Sequence, residues 1–570
     1  MTDGAAAPRA DQHAPVEIDH RARLEILGAI LLAMFLSALD QTIVGTALPR
    51  IVSDLRGNEL YTWVVTVYLL TATVSGPIYG KLSDLFGRRP MIMIGVGLFL
   101  VGSALSGLSQ EMWQLVAARG LQGLGAGAIF PIALAVIGDL FTPAERGRYQ
   151  GLFGAVFGIA ALIGPALGGF LTDAISWHWV FFVNLPLGVV VLAIIWRLLP
   201  PVKHPEAVRS IDYAGSIVFA AAIVPILIGL TNKQKNDWTD PVVGGLMLLG
   251  ALFLALFVWI EAHAAETIVP LSLFRGRSFT ASVIAVFLAS FGFFGAIIFI
   301  PRWFQFVHGS TATESGYQML PLLAGLILSS VTSGQVISRT GRYRWIVIGS
   351  LAMVSLGLLL LTNLRAETSL PEIWLWMTIA GIGIGPTLAA FTIIVQNAVP
   401  FAQLGTATST LTFFRQVGGT VGLTLAGTLF GSVLLSETPR QLVTAGVPAA
   451  FAERFSGSQA SAGELSVASD LGAQILAGVP AAARPQVEPF IPQIVEAIHE
   501  AFSIAIANAL WIGVGAAILA TLLTLILLPE LPLRHHFGDA GSAATTNDSG
   551  VERSPAGRGG TRGAEGSLRR

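Results

Sequence analysis

Two ionisable side chains stand inside stretches that are otherwise oily: Asp40 in "LDQTIVGTALP" (39–49) and Arg119 in "RGLQGLGAG" (119–127). A carboxylate deprived of water and set near a cation is pulled in opposite directions in its affinity for a proton, so it can gain and lose one as its surroundings change. A second concentration of charge is "GKLSDLFGRRP" (80–90), which places one acid, Asp84, among Lys81, Arg88 and Arg89 in a short bend between apolar runs. A carboxylate there can accept hydrogen bonds from arginines or sit at a helix N-terminus, where the dipole favours it. Arg415 and Gln416, within "TFFRQVGG", are a third polar site in an apolar run.

The elements that must hold these residues are membrane helices. Of the 570 residues 53% are hydrophobic and 12% charged, about half the usual ~25% charged content, so a water-soluble body would expose too much apolar surface. A net charge of −1 argues against a nucleic-acid partner. The absence of cysteine excludes disulfides, thiol catalysis and cysteine-held metals. A spanning helix needs about 20 mostly apolar residues, and fourteen such runs occur. They lie near 26–47, 61–80, 91–108, 112–138, 150–172, 179–199, 212–231, 242–260, 280–301, 315–336, 345–362, 373–396, 406–434 and 501–528. The runs are long and unalternating, which excludes a transmembrane barrel. With the N-terminus inside, thirteen Lys and Arg fall in short inner connections, against six (Arg50, Arg56, Lys233, Lys235, Arg302, Arg365) in short outer ones. That asymmetry places both termini in the cytosol.

At about 1.5 Å of rise per residue, Asp40 lies about 21 Å beyond Ile26, and Arg119, entering from the other side, about 10 Å beyond Met112. The depths agree, so the two charges can meet across spans 1 and 4, and Gln122 shares a face with Arg119. Arg415 and Gln416 lie near mid-depth of span 13. They either line a cavity or fix a helix by hydrogen bonds to carbonyls. Glu261 and Asp173, at span ends, read as ordinary interfacial acids.

Three features recur in order. Gly80 with its basic bend matches Gly334 at an offset of 254, "GLGAG" (123–127) matches "GIGIG" (381–385) at 258, and "GPALGG" (164–169) falls on "GGTVGL" (418–423) at 254. The second bend, "GQVISRTGRYR", has Ser338 where the first has Asp84. Spans 1–6 therefore repeat as spans 9–14, with spans 7 and 8 between them, a parallel-repeat arrangement. The expected parts are a cytosolic tail (1–25), an N-terminal six-helix half (26–199), a linker with two extra spans (200–279), a C-terminal half (280–530) and a disordered tail (531–570). The C-terminal half includes a long outer loop (435–500), within which "PQIVEAIHEAF" continues span 14 outward.

On "LDQTIVGTALP", "GKLSDLFGRRP", "RGLQGLGAG", "GPALGG" and "WHWVFFVNLPLG" (177–188), the chain resembles the 14-spanner drug:proton antiporters of the major facilitator superfamily, the EmrB/QacA type, over roughly residues 26–530. Gly45 stands where that family often has Asn, and His178 where Arg is usual. The resemblance implies proton-driven export of lipophilic or cationic compounds by alternating access, with Asp40 and Arg119 beside a central cavity. It implies that Gly80, Asp84, Gly87, Arg88 and Arg89, with Asp139 and Arg146 as partners, latch the cytosolic side, and that Gly164, Pro165, Gly168 and Gly169 form a pliable antiporter seam. For Asp40 a permanent structural pair with Arg119 is the alternative to proton coupling. Phe153, Phe157, Phe291 and Phe294, with Gln122, Arg415 and Gln416, can wall an apolar pocket, or the rings can simply face lipid. The expected partners are protons, a small lipophilic substrate and the bilayer, around a monomer. No cofactor is expected: there is no Walker-type loop, no catalytic or metal-ligand cluster within the spans and no filter loop, which weighs against ATP drive, an enzyme and a channel. A carrier for a lipid, metabolite or nutrient uses the same fold and stays open as the alternative.

Overall fold

In the computed structural model, the described residues are 19–55, 60–200, 212–233, 236–264, 267–448, 471–478, 484–530 and 532. The expected tails, part of the linker and parts of the long loop fall largely outside them. Fourteen helices are long and apolar enough to span a membrane. They are α1 (His20–Leu55), α2 (Tyr61–Phe86), α3 (Arg88–Gly107), α4 (Met112–Leu140), α5 (Leu152–Ala174), α6 (Asn184–Leu198) and α7 (Tyr213–Asn232). There follow α8 (Leu246–His263), α9 (Arg277–Val307), α10 (Leu320–Thr340), α11 (Arg344–Leu361), α12 (Leu370–Ala398), α13 (Leu404–Thr444) and α14 (Ile491–Leu527). Each coincides with one of the fourteen apolar runs, and no strand occurs among the described residues. The run expected from 501 starts at Ile491, because "PQIVEAIHEAF" continues the helix. Since the span count is even, α1 starts and α14 ends on one side, which also carries Arg88, Arg89 and Arg339 and is called the basic end below.

The sequence repeat is realised atom by atom where helices touch. A methyl group placed on Gly123 of α4 would meet the Tyr68 carbonyl at 2.4 Å, and one on Gly381 of α12 would meet the Leu322 carbonyl at 2.1 Å. A methyl on Gly125 would collide with the Phe99 nitrogen as one on Gly383 would with that of Val354, and methyls on Gly127 and Gly385 would meet the carbonyls of Ala72 and Leu326 in the same way. With little net hydrophobic force between helices inside lipid, such backbone-to-backbone approach supplies the van der Waals contact that holds a bundle together. "GLGAG" and "GIGIG" are thus the same pair of seams, built twice.

The two halves meet along α2–α13 and α5–α10. The inserted pair α7–α8 lies over only the first of these, where Phe219 packs 5.3 Å from Phe413 and 5.2 Å from Phe257, and Thr424 donates to the Leu230 carbonyl at 3.2 Å. Glu261 corrects its reading as an interfacial acid. It is 3% exposed and accepts from the backbone N–H groups of Ile268 (3.0 Å) and Val269 (3.3 Å), tying the chain after α8 back onto the helix. Asp173 is exposed, as expected. Away from the basic end, Leu442, Val447, Ile475, Val487 and Ile494 form a small apolar core, so the described part of the long loop is a packed cap.

Replacing Gly125 by Val should therefore lower the thermal midpoint in detergent by several degrees, since its methyls meet fixed backbone and overpacking costs about 1–3 kcal/mol. Gly97→Val, where nothing lies within 4 Å, is the control. Equal midpoints for the two variants, read by fluorescence-detected gel filtration after heating, would refute the packing role.

Candidate functional site

Asp40 is completely buried, and three side chains donate to it. Arg119 Nη1 lies 2.6 Å from Oδ2, while Gln122 Nε2 and Asn184 Nδ2 reach Oδ1 at 2.8 and 3.0 Å. Arg119 also donates to Gln122 Oε1 (2.8 Å) and the Val64 carbonyl (3.4 Å), and its guanidinium stacks 4.1 Å from the Tyr68 ring centroid. Ser103 accepts from Asn184 at 3.0 Å and donates to the Phe181 carbonyl at 2.8 Å. The cluster joins α1, α4, α6 and α3. Depth alone suggested that Asp40 and Arg119 meet, and they do. Asn184, Ser103 and Tyr68 were not singled out beforehand. A lone amide at the start of the apolar "NLPLG" run was the available signal for Asn184, and nothing in the sequence marks Tyr68.

A narrow cleft with about 30 Å³ of free volume opens between the halves, lined among others by Gln41, Tyr68, Phe130, Ser409, Phe413 and Gln416. Tyr68 stands between it and the Asp40 cluster, one face toward Arg119 and its hydroxyl 3.3 Å from Ser37 Oγ. Of the residues expected around a cavity, Gln416 lines this one, and Gln122 belongs to the Asp40 cluster. Phe153 and Phe157 pack behind Phe130, at 5.6 and 5.0 Å between centroids. Phe291 and Phe294 fill notches left by Gly422 and Gly419 in α13. Arg415, 8% exposed, is not among the residues lining the cleft and has no hydrogen-bond partner among the described residues.

At the basic end one carboxylate bridges the halves. Asp84 of α2 accepts from the backbone N–H of Gly405 (3.0 Å) and Thr406 (2.7 Å) and from the Thr406 hydroxyl (2.7 Å), and so caps the N-terminus of α13. The first turn of a helix has unsatisfied N–H groups and a partial positive charge, which suits an anion. Arg88 Nη1 lies 2.5 Å from the same carboxylate, and its Nε donates to Asp139 at 2.9 Å. Gly87, at φ 94°, makes the bend that brings Arg88 back over Asp84; a side chain there would be strained. Gly80 lets α13 approach so closely that a methyl on it would meet Ser409 Oγ at 2.0 Å. Arg146 donates to the Gly138 (2.5 Å) and Phe141 (3.0 Å) carbonyls, and Arg89 to that of Trp196. On the pseudo-symmetric seam Gly334 abuts the Gly147 carbonyl, and Gln150 donates to Gln396 at 2.7 Å. Gly164 and Gly168 of α5 fit Thr42 and Thr46 of α1, Pro165 faces Gly316 of the other half, and Gly169 has only Thr313 near it, at 3.8 Å. His178 stacks on Trp177 and pairs with Ser176 Oγ at 2.6 Å; burial lowers its pKa, against the pull of Asp54, so the ring is neutral at pH 7 where the family's Arg would be charged.

Two repeated six-helix halves around a cleft, with buried charge beside it and an ionic clamp at one end, define a membrane transporter and not an enzyme. The chain belongs to the Major Facilitator Superfamily, whose family model matches residues 30–423. Its relatives include the multidrug transporter protein MdtP of Bacillus subtilis (strain 168), 40% identical over 72% of this chain and 76% of the relative. Multidrug resistance protein 3 of the same organism is 37% identical over 72% of this chain and 80% of the relative. Among solved structures, the proton:xylose symporter XylE shares the fold at 14% identity and a TM-score of 0.55, over 90% of this chain and 98% of that one.

Losing the Asp84 charge should loosen the basic end. With Thr412→Cys as the sole thiol in the cleft, Asp84→Asn should be labelled from that end about five times faster or more, as expected for a coupling of 1–3 kcal/mol. Ser338→Ala should label like the parent. Equal rates for the Asp84→Asn and parent reporters would dispose of the latch.

Proposed function

We propose that this protein exports lipophilic compounds in exchange for protons by alternating access, from a cell membrane in which both termini face the cytosol. The observation that carries the reading is the Asp40 cluster: a carboxylate sealed from water, held by Arg119, Gln122 and Asn184, with Tyr68 both stacked on Arg119 and lining the cleft. A buried charge persists in hydrocarbon only where its partners compensate it. Rotation of Tyr68 or a shift of α4 against α1 would admit water, weaken the Arg119 contact and change the proton affinity of Asp40. Binding of substrate in the cleft, against Tyr68, would then be linked to the protonation state behind it. The direction of transport rests on the relatives named for multidrug transport and resistance. The Asp84 clamp, closed here, would hold the cytosolic side shut while the cleft exchanges with the outside. Gly164 and Gly168 would let α5 slide against α1 as the halves rock.

Proteoliposomes loaded with a pH-sensitive dye test this directly: lipophilic anions, cations and neutral compounds are each added under a proton gradient, and a transported one should drive proton movement. Asp40→Asn should abolish that movement per molecule of inserted protein, because the amide keeps the volume and two of the three hydrogen bonds can re-form, but no proton can cycle. Normal proton flux in the variant would refute coupling through Asp40.

A further inference from the structure

Within the middle of the described spans, the charged side chains are Asp40, Arg119 and Arg415. The first two neutralise each other at 2.6 Å. Arg415 is left over. It lies about 16 Å along α13 from Leu404, so near mid-membrane. It is 8% exposed, its Nη2 is fully buried, and no described residue accepts a hydrogen bond from it or pairs with it. An arginine cannot shed its proton to escape such a site, and an uncompensated buried charge is strongly destabilising. Its position on α13 is set by neighbours one heptad away on the same face: Thr408 bonds Gln396 of α12 at 3.2 Å, and Gly422 abuts Phe291 of α9. Arg415 therefore points between α9 and α12, while Thr412, one turn before it, and Gln416, next in the chain, wall the cleft. None of the cleft-lining side chains is charged, and Asp40 is already occupied by three donors, so nothing there is free to pair with a cationic ligand.

We propose that Arg415 is the binding site for the acidic group of the transported compound, which makes the substrate class an amphiphile with a carboxylate, sulfonate or phosphate head and an apolar body, and not a lipophilic cation. The assignment deepens the export reading and rests on it. The head would take the bidentate guanidinium edge, with Gln416 as a second donor, and the body would lie along Phe413 and Phe130 in the cleft.

The test uses the full-length protein in phosphatidylcholine nanodiscs and two fluorescent probes with one skeleton, 8-anilinonaphthalene-1-sulfonate and the neutral N-phenyl-1-naphthylamine, each titrated against empty discs. Arg415→Gln should weaken sulfonate binding by at least about tenfold and leave the neutral probe within about twofold, with Arg415→Lys intermediate. Unchanged sulfonate affinity in Arg415→Gln, parallel loss of both probes, or no binding of the sulfonate by the parent above empty discs would each overturn the site. If phosphatidylglycerol in the discs competes with the sulfonate for the parent and not for Arg415→Gln, the occupant is a lipid phosphate and the substrate assignment falls. Dye transport by vesicles of the same protein reports separately on export: charge-selective binding without any transport would keep the anion site and refute the export reading alone.

Discussion

Charge in hydrocarbon must be compensated, and most of this structure can be read as the consequence. Asp40 and Arg119 sit at matching depth on two helices whose other buried side chains are largely apolar. Their pairing fixes the rotation of α4 against α1, and Gln122 and Asn184 complete the carboxylate's coordination. The cost of burying both ions is offset only while all of these partners stay in place. That condition makes the cluster sensitive to movement of any one helix, which is the property a transporter needs beside its cleft. Arg415 is the exception that the same rule exposes.

Symmetry supplies the scaffold and its breaking supplies the mechanism. The α2–α4 and α3–α4 seams of one half recur as α10–α12 and α11–α12 of the other, glycine for glycine. The bend at the basic end recurs without its acid. Asp84 grips the first turn of α13, whereas its counterpart Ser338, beside Gly147 in the segment before α5, has no charge to offer it. The inserted helices α7 and α8 lean on that same α2–α13 seam, so the ionic clamp and the added apolar surface act on one edge of the molecule. On the other edge, Gly147 and Gly151, in the segment leading into α5, abut Gly334 and Ser330 of α10, and Gln150 of that segment donates to Gln396 of α12, contacts that are close but uncharged. Opening the basic end thus has a stiffer and a softer side.

The sequence by itself determined the fourteen spans, the repeat and the depth of the buried charges, because apolar length, glycine offset and rise per residue are properties of one chain segment at a time. Pairings between segments were legible only where depth left one choice, as for Asp40 with Arg119. Tertiary structure alone decided that Asn184 and Ser103 join them, that Tyr68 stands between them and the cleft, and that Phe291 and Phe294 fill glycine notches when a pocket was expected of them. It also decided that Asp84 accepts from the backbone of Gly405 and Thr406, donors with no residue signature, and that Glu261 is buried where its position suggested an interface. The physical reason is rotation. Hydropathy along a spanning run is nearly uniform, so it sets how far a residue lies into the membrane but not which way it faces, and facing is fixed only when backbones dock at their glycines.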